Sequence, residues 1–511
     1  MEYPAERMKL YSISSKSLDG YIGLNLHPSK EFQENVCDAV NRICSFLKEN
    51  CKLDKDTRVI KAIKAGSTGK GTTLDMSSDV DLVIFFSCFS SFQDQVEKRE
   101  HVIKEIEKNL NRCIQTIAFK VDISPPRKKG TRSLQLHIQA KKKKELVEVD
   151  LLPAYDALGQ ITFSYVPPTK IYTELIEANG QPGEFNTSFT ELQRNFVKRC
   201  PAKLKDLLRL VKHWYKEIKQ SSKSFKLPPK FALELLTIYA WEEGTGKEQF
   251  NTAEGFCTVM KLITQYQHLC LYWTKYYNLD NSQVGLHVKG KLKESRPVII
   301  DPADPTANVA KANMGAWDLL AQKASDCLTQ PCCMKDEQPI EPWNVQPTRG
   351  IKVTVKQPTG ATEDISCNPF DPIRQIKERF EKDGGICELY WEETLQEKTA
   401  LQNDKRLADY GIFFDTTFLL YITSQTLNIF VKDLKSRSTN YTVSSSETVL
   451  GLKKMIEART GVVVNQQRLT YQDKELEDGK TLAYYKIRSN DTVSLLLRLR
   501  GGHWNGMDII E

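Results

Sequence analysis

Apolar residues recur at helical spacing between positions 17 and 51, at Phe32, Val36, Val40, Ile43, Cys44 and Leu47, and predict one long amphipathic helix. The period then drops to two. Positions 58–64 read as a strand, and Ser77-Ser-Asp79-Val-Asp81-Leu-Val-Ile-Phe-Phe86 alternates before running apolar, the pattern of a strand entering a core. Helical spacing returns over 92–113, where the charges line a solvated face. Pro125-Pro-Arg-Lys-Lys-Gly130 predicts a basic turn, 134–138 a strand, and Lys141-Lys-Lys-Lys144 an exposed hairpin. Another alternating strand follows over 145–153, with Leu146, Glu148 and Asp150 on one face.

Beyond Pro153 the pattern is mostly helical, over 189–198, 203–216 and the rather apolar 231–243. A short strand at 297–301 is ended by prolines, and 331–349 holds four prolines among polar residues, which predicts a linker. The chain then repeats itself. Ile351-Lys-Val-Thr-Val-Lys356 matches Leu427-Asn-Ile-Phe-Val-Lys432, an offset of 427 − 351 = 76 residues. Helices around 373–382 and 449–459 recur behind these strands, so two compact α+β modules are expected in the C-terminal third.

Composition narrows the class. At 511 residues the chain exceeds a single core, and about three or four domains are expected. Its 72 Lys+Arg against 65 Asp+Glu leave only +7, so attraction of the whole surface to nucleic acid does not follow and local clusters must supply it. With no apolar run of about 18 residues and no leader-like start, the expectation is a soluble intracellular protein without membrane contact, cytoplasmic, with the nucleus as a further location. Thirteen cysteines include no CxxC pair. Cys332-Cys333 therefore reads as a helix-end pair without metal, because no other Cys or His pair sits at zinc spacing.

The candidate chemistry lies where the loop Lys64-Ala-Gly-Ser-Thr-Gly-Lys-Gly-Thr-Thr-Leu74 meets the aspartate strand. Its backbone N–H groups and the Ser67 hydroxyl suit a phosphate chain, although the spacing is not that of a Walker loop. Period two puts Asp79 and Asp81 on one face, and Asp150 joins them if its strand is a neighbour. Three such carboxylates offer hard oxygen ligands for two Mg²⁺ ions, one activating a hydroxyl nucleophile and the other stabilising leaving pyrophosphate. The reaction class is nucleotidyl transfer.

Ala65-Gly-Ser-Thr-Gly-Lys70, Ser78-Asp-Val-Asp-Leu-Val83, Val149-Asp-Leu-Leu-Pro-Ala-Tyr155, Phe189-Thr-Glu-Leu-Gln-Arg194, Arg209-Leu-Val-Lys-His-Trp-Tyr215, Ala232 to Glu242 and Asp301-Pro-Ala-Asp-Pro-Thr306 together resemble the 2′-5′-oligoadenylate synthetases over nearly all of 1–345. Positions 427–502 resemble ubiquitin, including Gln466-Gln-Arg-Leu469 and Leu497-Arg-Leu-Arg-Gly-Gly502. A synthetase unit followed by two ubiquitin-like repeats is the arrangement of the oligoadenylate synthetase-like branch. The resemblance implies an α+β fold: a nucleotidyltransferase lobe with a mixed sheet (1–158), a helical second lobe (159–345), two ubiquitin-like β-grasp modules (349–425 and 426–502) and a tail (503–511).

It also implies an antiviral enzyme that double-stranded RNA activates to join ATP into 2′-5′-linked oligoadenylates with release of pyrophosphate. By resemblance Asp79, Asp81 and Asp150 are catalytic and hold Mg²⁺. Ser67, Arg209, Lys212, Lys230 and Phe231 bind ATP, and Lys48, Lys64, Lys70, Arg194 and Lys198 bind RNA through duplex shape and phosphates. Two departures stand out. Active members carry Gln-Tyr where this chain has Lys230-Phe231, which removes a phenol hydroxyl and a hydrogen-bond acceptor. Members that tetramerise carry Cys-Phe-Lys where this chain has Cys332-Cys-Met334, so tetramer formation does not carry over.

The alternative reading is a catalytically silent RNA-binding scaffold that acts through a protein partner of the ubiquitin-like tandem. On the second module the apolar docking patch of ubiquitin corresponds to Leu434, Thr470 and Leu496. The residues after Gly502 block the carboxylate that conjugation requires, so docking is the expected role.

Overall fold

The computed structural model describes residues 9–50, 57–75, 79–113, 119–123, 132–140, 146–162, 164–222, 225–381, 386–394, 397–423 and 425–497. It divides into two compact units, Met1–Arg349 and Gly350–Glu511. The expected basic turn at 125–130, the lysine hairpin at 141–144 and the Gly501-Gly502 tail lie outside the described residues.

The single helix expected over 17–51 is two helices, α1 (Leu18–Asn25) and α2 (Lys30–Asn50). Pro28 has no N–H to continue a ladder, and the Ser29 hydroxyl starts the second helix by accepting from the Phe32 backbone N–H at 3.1 Å. Next come β1 (Val59–Lys64), the one-turn α3 (Gly66–Lys70), β2 (Asp79–Phe86), α4 (Phe92–Cys113), β3 (Phe119–Ile123), β4 (Leu134–Ala140) and β5 (Leu146–Ala154). They build one mixed sheet in the order β1-β2-β5-β4-β3, in which β2 and β5 are parallel and the other pairs antiparallel.

Alternation decides what each face does. Val80, Leu82, Ile84 and Phe86 join Leu136, Ile138, Val149 and Leu151 in a core closed by Val36, Val40, Ile43 and Leu47 of α2 and by Val102, Ile106 and Leu110 of α4. On the other face Val83 and Phe85 pack with Ile63, Ala65 and Ala154 in a smaller cluster. β2 is thus buried on both faces over its second half, and its acidic first half projects beyond that second cluster.

The helical part of the unit comprises α5 (Thr169–Glu177), α6 (Thr190–Lys198), α7 (Ala202–Ser221), α8 (Lys230–Gly244), α9 (Thr252–Thr264), α10 (Ser282–Leu292) and α11 (Ala316–Leu328). A two-stranded pair, β6 (Cys270–Leu271) with β7 (Val298–Ile299), lies among them. Eight successive residues of α8, Leu233 to Ala240, are buried, as expected of a helix that is apolar nearly all round.

The linker expected over 331–349 is instead part of this unit. A turn at Pro331–Cys333 leads into a hairpin of β8 (Met334–Lys335) and β9 (Gln338–Pro339). Trp343 then hydrogen-bonds Thr258 Oγ1 through its backbone N–H at 2.8 Å and Glu254 Oε2 through its indole N–H at 3.2 Å. Its ring lies where a Cβ on Gly244 or Gly255 would come within 2.6 or 2.8 Å, so both helices need glycine there. Arg349 donates to the Tyr272 carbonyl at 2.7 Å. Prolines signal the missing regular structure, but a large apolar anchor keeps the segment packed.

In the second unit β10 (Ile351–Lys356), β11 (Thr362–Cys367), α12 (Ile373–Lys377), β12 (Ile386–Thr394), β13 (Glu397–Ala400) and β14 (Thr416–Thr423) give the sheet order β11-β10-β14-β12-β13. The copy repeats it: β15 (Thr426–Lys432), β16 (Ser438–Ser444), α13 (Val449–Thr460), β17 (Gln467–Tyr471), β18 (Lys474–Glu475) and β19 (Thr492–Leu497) give β16-β15-β19-β17-β18. In each sheet the first strand runs parallel to the last, the pairing of a β-grasp. The helices differ. α13 has a side-chain N-cap, Thr448 Oγ1 accepting from the Gly451 N–H, whereas α12 follows Pro372 without one and is regular over five residues only, short of the expected 373–382. Among the described residues no helix is long and apolar enough to cross a membrane.

Candidate active site

β2 and β5 run parallel in a register that sets Asp79 opposite Glu148 and Asp81 opposite Asp150. Register partners share a face on strands about 4.8 Å apart, so Asp81 and Asp150 meet there as like charges. Asp79 opens β2 in that register, and its side chain lies outside the described residues. On the next strand Gln135 stands opposite Asp150 and His137 opposite Glu148.

The glycine loop turns directly over these acids. The Ala65 N–H donates to the Asp81 carbonyl at 2.8 Å, and Gly66 has φ +55°, left-handed backbone that favours glycine. A Cβ on Gly66 would sit 2.1 Å from Asp81 Oδ2, so the loop's approach to the carboxylate requires glycine. Ser67 follows in α3, half-buried. Gly69 is equally constrained, since a Cβ would meet the Lys64 carbonyl at 2.2 Å.

Two cations of α7 strap the far end of this loop. Arg209 donates to the Gly71 carbonyl at 2.8 Å and to the Thr73 carbonyl at 3.2 Å while pairing with Asp206 at 2.8 Å. Lys212, one turn on and buried, donates to the Thr72 carbonyl at 2.9 Å. Both residues expected at ATP phosphates are directed here at the loop backbone. Glu234 of α8 completes the junction, lying 3.2 Å from Lys212 Nζ and 2.7 Å from Lys70 Nζ.

Burial raises the Glu234 pKa, but attraction and hydrogen bonds from Lys70 and Lys212 outweigh it and hold the carboxyl at about 2. Lys212 moves the other way for an ammonium in a pair: burial lowers its pKa more than its share of Glu234 restores, because Lys70 competes for the same carboxylate. The carboxylate, with two cations to itself, is the group the cluster favours. Lys70, expected among the RNA contacts, is therefore buried against Glu234, and its ammonium stands 3.9 Å from the centre of the Phe231 ring. Lys230 opens α8 beside it, half-buried.

The other expected RNA residues occupy an edge built from α2, β1 and α6. Lys48 is exposed, and Lys64 donates to Cys37 Sγ at 3.4 Å. Both bear electrostatically on Cys44, which places them together. Arg194 lies beside α3 and Lys198 ends α6 exposed, four residues further along that helix.

Sequence reasoning missed Glu234. The signal was present in Ala232-Leu-Glu-Leu-Leu236, a lone carboxylate inside an apolar helix, which must find cations or lose its charge. It also did not single out Asp301 as an individual group. Fully buried, Asp301 is pushed up to about 7 by desolvation and the nearby Asp304 charge, and it accepts from Gln193 at 2.5 Å and the Ala303 N–H at 2.8 Å.

Comparison with known proteins matches this layout. A nucleotidyltransferase-domain model matches residues 43–171, the model of 2′-5′-oligoadenylate synthetase 1, domain 2, C-terminus, matches 165–348, and a ubiquitin-family model matches 429–500. Mouse 2′-5′-oligoadenylate synthase-like protein 2 is 42% identical over 501 residues, covering 95% of this chain and 98% of that protein. Mouse synthase-like protein 1 is 39% identical over 503 residues, with 96% and 97% covered. Rat 2′-5′-oligoadenylate synthase 1A is 46% identical over 345 residues, 66% of this chain and 96% of its own length. A chain that matches the synthase-like proteins over 95–96% of its length, and carries a nucleotidyltransferase lobe with its acids in register, belongs to the 2′-5′-oligoadenylate synthase family.

Proposed function

We propose that the chain is a 2′-5′-oligoadenylate synthase, activated by double-stranded RNA, that joins ATP through 2′-5′ phosphodiester bonds and releases pyrophosphate. The observation that carries this reading is Asp81 in register with Asp150 under a glycine loop that closes on the Asp81 carboxylate. Hard oxygen donors on one face of adjacent strands fit Mg²⁺, with Asp79, Asp81 and Asp150 as ligands. Bound there, Mg²⁺ would activate the attacking 2′-hydroxyl and neutralise charge on the leaving pyrophosphate. Ser67 and the N–H groups of its turn orient the donor triphosphate. Arg209 and Lys212, by gripping residues 71–73, fix the loop that presents Ser67. The basic edge of Lys48, Lys64, Arg194 and Lys198 takes the RNA phosphates.

A second reading, an antiviral RNA-binding scaffold with little or no synthesis, is favoured by one contact. The Phe231 ring that would stack on adenine already carries the Lys70 ammonium on its face. The deciding experiment incubates purified chain with ATP, Mg²⁺ and duplex RNA and resolves the products, with Asp81→Ala as control. RNA-dependent 2′-5′ oligomers absent from the control support the enzyme. RNA binding with no oligomers supports the scaffold.

A further inference from the structure

The helical lobe gathers cysteines that the sequence spacing did not connect. Cys327 ends α11, Cys332 and Cys333 form the turn that follows it, and the three sulfur atoms lie within 4.8 Å of one another, all buried. Cys257 projects from the middle of α9, also buried, and its thiol bears electrostatically on Cys333 and Cys327. Three thiols from two segments converge on one dry point, with a fourth on the neighbouring helix.

Small hydrophobes do not need to converge sulfur to sulfur, whereas a metal shell does. A tetrahedral zinc–thiolate shell with Zn–S bonds of about 2.3 Å sets its sulfurs about 3.8 Å apart, inside the span of Cys327, Cys332 and Cys333. The setting is that of a closed structural site, because every thiol is shut from water and no face is left for a substrate. The turn also begins the 331–349 segment, which has little regular structure of its own and yet packs on α9, α11 and the N-terminal turn Leu10–Ser12. A crosslink at its start is what such a segment lacks in backbone hydrogen bonds.

We propose that Cys327, Cys332 and Cys333 bind one Zn²⁺, drawing in the Cys257 thiol as fourth ligand, and that this ion ties the 331–349 segment to α9 and α11. Each thiol releases its proton to solvent as its Zn–S bond forms, and no oxidation is involved. Along the sequence Cys332-Cys333 has no second pair at zinc spacing. The fold supplies the remaining ligands from two helices.

The test is elemental analysis of the full chain, purified under reducing conditions without chelator, with titration by an organomercurial thiol reagent. One zinc per chain, released in step with modification of these thiols, is the expected result. Cobalt exchanged into the site should show the sulfur-to-metal charge-transfer bands and intense d–d bands of a tetrahedral thiolate. Cys333→Ser should lose the metal and melt at lower temperature, while Cys367→Ser in the second unit should keep it. A chain free of zinc, with these cysteines either reduced or disulfide-linked, overturns the proposal, as does another metal in zinc's place. Should Cys333→Ser fail to fold, the wild-type stoichiometry and the cobalt spectrum still decide.

Discussion

Two charged regions flank the glycine loop and follow opposite rules. On the sheet, Asp81 and Asp150, both half-buried, are opposite each other, and two residues back the register sets Asp79 opposite Glu148 on the same two parallel strands. Beneath the loop, Glu234 is fully buried between Lys70 and Lys212. The first arrangement gathers like charge on one face, a setting that a bound cation would relieve. The second satisfies its charges internally and holds the loop. Sites that take a charged ligand and sites that hold structure are thus told apart by the sign of their neighbours and not by how many charges they gather.

The largest effect should come from the sheet. Asp81→Asn or Asp150→Asn removes one of two opposed acids, so synthesis should fall by roughly 10²–10³-fold or more, the scale of losing a charge-stabilising group. Stability should hold or rise by a few tenths of a kcal/mol, because like-charge repulsion is relieved. A variant that lost activity only because it unfolded would erase the contrast, and denaturant melts alongside the assays check this. At the junction the outcome should invert. Glu234→Ala leaves two buried ammonium groups without their carboxylate and should cost about 3–5 kcal/mol of stability.

Stability against pH sharpens the contrast by bringing in a second buried acid. Glu234 has a folded pKa of about 2 against an ordinary 4.5, a depressed carboxylate, so its stabilisation is present above pH 4.5 and is lost as pH falls towards 2. The difference corresponds to about 3 kcal/mol. Asp301 is raised from 3.8 to about 7 by burial and by Asp304, so its protonated form favours the fold, and stability falls as pH climbs from 3.8 through 7, by about 4 kcal/mol. Denaturant titrations across pH should show both limbs. Glu234→Gln should flatten the acid limb alone, and Asp301→Asn the limb between 4 and 7 alone. Each variant flattening the other's limb would reverse the assignment.

The sheet was largely legible in the sequence because period-two alternation is local. 58–64, 77–86 and 145–153 fall within one or two residues of β1, β2 and β5, and the condition for Asp150 to join Asp81, neighbouring strands, is met by parallel pairing. What was not legible depends on partners far along the chain. Lys70 looks like a surface cation until Glu234, 164 residues on, takes it inside. The 331–349 segment looks like a linker because its prolines are visible and the Trp343 pocket at Gly244 and Gly255 is not. Local pattern gives elements. Burial of charge is set by tertiary neighbours that no window of sequence contains.

That difference between Lys70 and the other expected RNA contacts sets the smallest effect and the last way to break the comparison. Lys48 and Lys198 are exposed, so each loss should weaken duplex binding slightly and lower the slope of log affinity against log salt by up to ~0.9, on the calibration for B-form DNA. Neither change should move the melting temperature, since neither side chain is buried. Lys70→Ala should behave in the opposite way. It removes one of the two cations on Glu234, lowers the melting temperature, and leaves the salt slope of the folded protein near the wild-type value, because a buried ammonium paired with a carboxylate releases no counterion when RNA binds. Measured binding isotherms across a salt series, paired with melts of the same variants, separate the two outcomes. A Lys70→Ala protein that melts like wild type but loses a full phosphate's worth of slope would put Lys70 on the RNA surface. Glu234 would then be held by Lys212 alone.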